Sequence, residues 1–293
     1  MSPHPDAHST LFYDGRIARV IEEALMEDIG AGDITTASTV DPEAQGSAIL
    51  LAKGEGIVSG VEIAHIVFHT IDDEIRFTPL VRDGQAVTPG VHIATIEGRL
   101  AAILKAERTA LNFLQRMSGI STLTAAYVKA VAGTKAKIID TRKTAPGLRA
   151  IDKLAVALGG GVNNRFGLDD MVLIKDNHIA AAGSLTNAVK NCVAYLDEHG
   201  IRVPIEVETQ NIAQVREALA FERVNRIMLD NYALEDMRAA VELIAGTKEV
   251  EASGGMTLET VRAVAETGVD LISVGALTHS VKGLDISLDI QQA

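Results

Sequence analysis

Residues 204–230 read PIEVETQNIAQVREALAFERVNRIMLD, and the expected architecture follows from them. A short apolar run ends at Glu208, a helical pattern follows, and a second apolar run over 226–229 ends at Asp230. The same unit recurs on both sides: apolar strands are expected at 137–140, 171–174, 204–207, 226–229, 249–252 and 270–274, with helical patterns after most of them. Strands alternating with helices imply a parallel sheet, either a barrel or a doubly wound layer. The residues that follow the six strands are Thr141, Lys175, Glu208, Asp230, Ser253 and Gly275, spaced 34, 33, 22, 23 and 22 apart. Polar, charged or small residues thus recur at the carboxyl ends of strands, the face on which β/α barrels assemble their sites. A doubly wound sheet would announce itself with a Gly-rich first turn, and no GxGxxG follows a first strand here. The barrel is the preferred reading.

Upstream the pattern differs. From Arg16, the spacing of Ile17, Val20, Ile21, Ala24 and Leu25 is helical and is stopped by Gly30 and Gly32. Extended runs are expected at 48–52, 75–80 and 91–96, separated by Asp83-Gly84 and Pro89-Gly90, with a helix over 61–69 between the first two. This is an α+β module with a mostly antiparallel sheet. Residues 100–130 read as one long helix bridging two domains, with Gly119 as a candidate break. The expected division is an amino-terminal α+β domain over 1–115 and a catalytic barrel over 116–280. Residues 1–10, polar with two prolines, are expected to be disordered.

At 47% apolar and 23% charged residues, the 293-residue chain falls in the globular range. No apolar run approaches the roughly 18 residues of a membrane span. The first fifteen residues also lack Lys, Arg and the apolar core of a secretory signal. A soluble, cytoplasmic protein is the expectation. Cys192 lies in the helical series Leu185, Ala188, Val189, Cys192, Val193, Leu196 and reads as a small core residue; a lone cysteine also excludes a structural zinc site. A net charge of −12 argues against nonspecific nucleic-acid binding. Within 135–175, however, Lys135, Lys137, Arg142, Lys143, Arg149, Lys153, Arg165 and Lys175 face only Asp140, Asp152, Asp169 and Asp170. A cationic segment in an acidic chain concentrates positive potential for a small anion; a solvated helix face is the alternative.

Four constellations carry chemistry. In 140–149 (DTRKTAPGLR), Arg142 and Lys143 leave a strand end, and Pro146-Gly147 turns the chain into a new helix. Arginine's fork matches planar carboxylates and lysine supplies a movable charge, structural salt bridges being the alternative. In 159–168 (GGGVNNRFGL), three glycines allow close backbone approach and Arg165 adds a cation, followed by Lys175 and His178. His178 reads equally as a helix N-terminal residue and as a base. Glu208 and Asp230 end neighbouring strands and suit a hydrated magnesium ion that binds diphosphate, or they pair with nearby cations. Finally, Ser253, Gly254 and Gly255, with Gly275 and Ala276, are small residues after the last two strands, each expected to lead into a helix start that binds phosphate.

In order along the chain, ERTALN (107–112), DTRKT and PGLR, GGG with Asn and Arg, LIKDNHI (173–179), EVE (206–208), LDN (229–231), EASGG (251–255) and SVGALTHS (273–280) resemble the quinolinate phosphoribosyltransferases over about residues 16–290. The resemblance implies an α/β fold: an incomplete, seven-stranded β/α barrel with a smaller amino-terminal α+β domain, to which 281–293 returns. It also implies a homodimer whose sites join one subunit's barrel to the other's amino-terminal part. The activity implied is phosphoribosyl transfer from 5-phosphoribosyl 1-diphosphate to quinolinate with decarboxylation, giving nicotinate mononucleotide, with Mg2+ as cofactor. By motif, Arg142, Arg165 and Lys175 would hold the two quinolinate carboxylates, with Lys143 toward substrate or diphosphate. Arg108 would enter the neighbouring subunit's site, and Glu208 and Asp230 would hold magnesium and ribose or diphosphate groups. Ser253, Gly254, Gly255, Gly275 and Ala276 would take the 5-phosphate. The family generally has His where this chain has Asn164 and Thr where it has Ala145; Asn donates a hydrogen bond but carries no proton.

Three rival readings are open at this point. One is a paralogous phosphoribosyltransferase of the molybdate-transport-associated type, acting on another anionic acceptor. Another is a Schiff-base barrel using Lys143 or Lys175. The third is a carrier module, because 81–90 (VRDGQAVTPG) resembles half of a biotinyl or lipoyl hairpin, although without a lysine at its tip.

Overall fold

Ile17, Ile21 and Leu25 recur every fourth residue and are buried, so helix α1 (Arg16–Ile29) turns one apolar stripe inward. In the computed structural model, which describes residues 15–291, α1 is followed by α2 (Ile34–Thr39), where the Asp33 side chain accepts from the Thr36 N–H as an N-cap. Then come β1 (Gln45–Ala52), β2 (Gly56–Ile57), α3 (Val61–Ile71), β3 (Arg76–Pro79), β4 (Ala86–Val87) and β5 (His92–Arg99). The expectation for residues 1–10 lies outside the described residues. Alternate residues Ala48, Leu50 and Ala52 of β1 are fully buried, the period-two pattern of a half-buried strand. Strands β1, β3 and β5 form an antiparallel sheet whose order is completed by the final strand β12 (Ile286–Gln291), paired to β1 with Ala52 opposite Ile286. Residues 286–291 thus form an edge strand of this sheet.

Helix α4 (Leu100–Ala130) is continuous for 31 residues, so the expected break at Gly119 does not occur. Gly119 serves close packing instead: a Cβ there would overlap the backbone carbonyl of Lys282. Alanine normally favours a helix interior over glycine by about 1 kcal/mol. Here Gly119→Ala is expected to lower the melting temperature, because the clash is with backbone; a thermal scan in which the variant melts higher would refute this. Gly159 is explained in the same way, since its Cβ would meet Ser121 and Thr124 of α4 rather than a ligand. Helix α5 (Arg149–Leu158) joins this first compact unit, which among the described residues holds 15–125, Thr144–Gly160 and 277–291. Arg116 of α4 grips the fully buried Asp152 of α5 through two hydrogen bonds of 2.8 and 2.9 Å.

The second unit, Ala126–Lys143 and Gly161–Ala276, contains all the alternating strands. In chain order these elements are β6 (Lys137–Ile139), β7 (Val172–Ile174), α6 (Asp176–Ala182), α7 (Leu185–Glu198), β8 (Ile205–Thr209), α8 (Ile212–Leu219), β9 (Arg226–Asp230), α9 (Leu234–Ile244), β10 (Glu249–Ser253), α10 (Val261–Ala265) and β11 (Leu271–Ser273), with α11 (Ala276–His279) beginning at its edge. Six strands pair in parallel in the order β6-β11-β10-β9-β8-β7. A seventh position is a single bridge, Val162 beside Ile139. Val162 donates to the Ile138 carbonyl at 2.9 Å and accepts from Asp140 at 3.2 Å, and Asn164 N–H then turns to the Asp140 side chain, which ends the ladder. With Val162 included, spatial order equals chain order once round, so the described sheet opens between Val162 and β7. This is the incomplete barrel that was expected, with its seventh strand shortened to one bridge.

Register decides which residues face inward. Glu206 stands beside Arg226, which stands beside Glu249, and Glu208 stands beside Met228, which stands beside Glu251. Leu173 pairs with Glu206, so Lys175 shares the face of Glu208. The opposite face carries Ile205, Val207, Ile227, Leu229, Val250, Ala252 and Ile272, all at most 3% exposed. The apolar face is therefore the one under the helices, and the charged face lines the barrel.

Candidate active site

Lys175 follows β7 and its Nζ donates to Glu208 Oε2 at 2.9 Å; Glu208, at the end of β8, is nearly buried while Lys175 is half exposed. Asp230 ends the adjacent strand on the same face, with Asn231 Nδ2 donating to its Oδ2 at 2.9 Å. Asn231 has a positive φ of 56° and its N–H bonds the Ser253 carbonyl at 2.9 Å, which ties the loops after β9 and β10 together. Gly254 is required beside it: its φ is 100°, and a Cβ would overlap the Asn231 side chain. Among the described residues no three or more His, Cys, Asp or Glu side chains form a metal cage. Two carboxylates on neighbouring strand ends nonetheless match magnesium, which keeps waters and takes phosphate oxygens as well.

Arg142 leaves β6 half-buried, with Lys143 exposed beside it, and the Lys143 N–H is held by Thr141 Oγ1 at 3.0 Å. Arg165 is half-buried, and its Nη1 donates to the Met171 carbonyl at 3.2 Å. Burial, followed by the nearby Arg142 charge, pulls the Arg165 guanidinium below its ordinary value, against the pull of Glu206, Asp170 and Glu251. Two guanidinium groups within electrostatic reach of each other favour an anion between them. His178 sits in the first turn of α6, where its Nδ1 accepts from the Lys175 N–H at 2.9 Å. Of the two readings of His178, the helix-terminal one describes this geometry.

Beneath these groups lies a charge layer that was not singled out in the sequence. Glu206 and Glu251 are fully buried and Arg226 is 18% exposed. Arg226 Nη1 donates to Glu251 Oε2 at 3.0 Å and lies 3.7 Å from Glu206 Oε2, and its Nε donates to Glu249 Oε2 at 2.7 Å. Burial, then the charge of Glu251, push the Glu206 carboxyl well above the ordinary carboxylate range, against the pull of Arg226 and Arg165. The signal available in the sequence was the alternation of charge and apolar residues in IEVE, RIML and EVEA.

The phosphate-loop expectation needs one correction. Gly275 and Ala276 do enter a helix directly, at α11, but Ser253-Gly254-Gly255 does not: α10 starts only at Val261, after a turn closed by Thr257 and Thr260. The positive φ values of Gly254 and Gly255 let this loop curl instead. Arg108 belongs to the first unit, on α4, with its side chain 60% exposed and Glu107 at 4.0 Å; the other expected site residues all belong to the second unit. The segment resembling a carrier hairpin has a structural use, since Asp83 Oδ1 accepts from the Val61 N–H at the start of α3.

The family model described as quinolinate phosphoribosyl transferase, N-terminal domain, matches residues 33–118, and the one for the C-terminal domain matches 120–289. The chain is 47% identical over 305 residues to the chloroplastic carboxylating nicotinate-nucleotide pyrophosphorylase of Arabidopsis thaliana, covering 99% of this chain and 86% of that protein. It is 43% identical over 273 residues to a probable carboxylating nicotinate-nucleotide pyrophosphorylase of Synechocystis, covering 92% and 91%. The solved nicotinate-nucleotide pyrophosphorylase of Francisella tularensis superposes with a TM-score of 0.88 at 39% identity, over 94% of this chain and 96% of that one.

Proposed function

The chain belongs to the quinolinate phosphoribosyltransferase family, and from that membership we propose how its barrel carries out the family's reaction. The enzyme transfers a phosphoribosyl group to quinolinate with loss of carbon dioxide and forms nicotinate mononucleotide for NAD biosynthesis. The observation that carries the assignment of residues is the gathering of Arg142, Arg165 and Lys175 at one end of the barrel, beside Glu208 and Asp230.

Arg142, Arg165 and Lys175 take the two carboxylates of quinolinate, and Lys143 reaches toward the diphosphate. The loops at Ser253, Gly254 and Gly255 and at Gly275 and Ala276 take the 5-phosphate. As diphosphate leaves C1, the ribose becomes oxocarbenium-like and the pyridine nitrogen attacks it. The alkylated nitrogen is positive and stabilises the electron pair left on the adjacent ring carbon when the 2-carboxylate departs as carbon dioxide, and that carbon then takes a proton with this pair. The protein mainly positions the reactants and balances their charge. Glu208 and Asp230 fit Mg2+, which when bound would neutralise charge developing on the diphosphate.

A homodimer, with Arg108 entering the partner's site, and a cytoplasmic location complete this reading. Among the described residues no helix is long and apolar enough to cross a membrane. The deciding assay supplies quinolinate, 5-phosphoribosyl 1-diphosphate and magnesium, and measures carbon dioxide and nicotinate mononucleotide together. Equal yields of the two are expected; turnover without carbon dioxide would overturn the reading. Arg165→Lys removes a bidentate fork and is expected to cost about 1–3 kcal/mol of quinolinate binding, measured by titration calorimetry, and unchanged affinity would remove Arg165 from the carboxylate site.

A further inference from the structure

Arg226 opens β9, at the end opposite Asp230, and the mechanism above gives it no role. Besides its bonds to Glu249 and Glu251, its Nη1 donates to Asn164 Oδ1 at 3.1 Å. A guanidinium has donors only, so the Asn164 atom facing it must be the carbonyl oxygen. That settles an amide orientation which geometry alone leaves open. The amide nitrogen, on the other branch of Cγ, is turned away from Arg226. The backbone of Asn164 is fixed as well, because its N–H donates to Oδ1 of the fully buried Asp140 at 2.8 Å. Asn164 immediately precedes Arg165, whose charge is felt by Arg142, Glu206 and Glu251.

We propose that Arg226 is a positioning residue for the acceptor: by holding Asn164 Oδ1, it presents the amide N–H edge of Asn164 to a carboxylate of the bound pyridine diacid. The proposal rests on the reading of Arg142, Arg165 and Lys175 as the carboxylate site. Orientation decides the sign of the contact, since the same amide turned over would face a carboxylate with its oxygen and repel it. The consequence is a neutral donor, held from behind by a cation, in a pocket otherwise built from charges.

The test is a double-mutant cycle on quinolinate affinity with Arg226→Lys, Asn164→Ala and the double variant. A lysine at 226 keeps a positive charge, but its shorter reach and single ammonium replace the Nε and Nη1 donors that hold Glu249, Glu251 and Asn164 together. Each single variant is expected to bind quinolinate about 5- to 10-fold more weakly, and the double variant no more weakly than the worse single one. The KM for 5-phosphoribosyl 1-diphosphate should stay within about twofold throughout, which a general loss of structure would not permit. Multiplying effects in the double variant would overturn the proposal. Asn164→Asp leaves Arg226 and its packing intact but turns an oxygen toward the substrate, so it should bind quinolinate at least about 10-fold more weakly than Asn164→Ala. Equal or tighter binding by Asn164→Asp would also overturn it. If Arg165→Lys weakens quinolinate binding while the cycle multiplies, the positioning role alone falls. If Arg165→Lys has no effect, the carboxylate site is misplaced and the proposal falls with it.

Discussion

Glu208→Ala and Asp230→Ala are expected to lower turnover with 5-phosphoribosyl 1-diphosphate by on the order of 10²- to 10³-fold, the range for removing one preorganised electrostatic group from a reacting centre. Magnesium titrations of the initial rate should shift to higher concentration in both. Quinolinate binding should move little, and for Glu208→Ala it should tighten if it changes at all. The reason is the 2.9 Å pair: without Glu208, the Lys175 ammonium loses its internal counter-ion and is released for a substrate carboxylate. Magnesium dependence identical to the parent in both variants would sink the metal assignment.

Arg108→Ala and Lys143→Ala are each expected to be nearly inactive as homodimers, and to regain activity when mixed. In the proposed dimer every site draws Arg108 from one chain and Lys143 from the other. Each homodimer then has two damaged sites, whereas a mixed dimer has one doubly damaged site and one intact site. Random exchange makes about half the dimers mixed, so recovery should approach roughly a quarter of the parental activity per site. The exposure of Arg108 on its own unit suits a residue that acts elsewhere. Failure to recover after verified subunit exchange would return Arg108 to its own chain's site or remove it from the chemistry.

The strands of the barrel and the residues that end them were legible in the sequence because each apolar run stops at a polar or small residue: Lys175 after β7, Glu208 in β8, Asp230 in β9. The charge layer at Glu206, Arg226 and Glu251 was not. Those residues alternate with Ile205, Ile227 and Val250, but a period of two says only that the faces differ. Which face is interior depends on where the helices pack, and here the apolar side lies under them. Gly119 misled for a related reason. Glycine in a helical pattern signals either a break or a close approach, and the partner, Lys282, is too distant in sequence to be anticipated. The Arg226–Asn164 bond is likewise a meeting of residues 62 positions apart, visible only once the barrel has formed.

The pairing of β12 with β1 bears on how the chain is made. At a synthesis rate of about 5–20 residues per second, roughly 10–50 s separate the emergence of these two strands from the ribosome. Throughout that interval the N–H and C=O groups along one border of β1 have no partner, and such a border recruits foreign strands. The nascent small domain is therefore left with an unfinished sheet while the barrel is still being translated. A slow stretch of codons anywhere between these two strands would prolong that exposure, so soluble yield should respond to translation speed within that stretch more than ahead of β1.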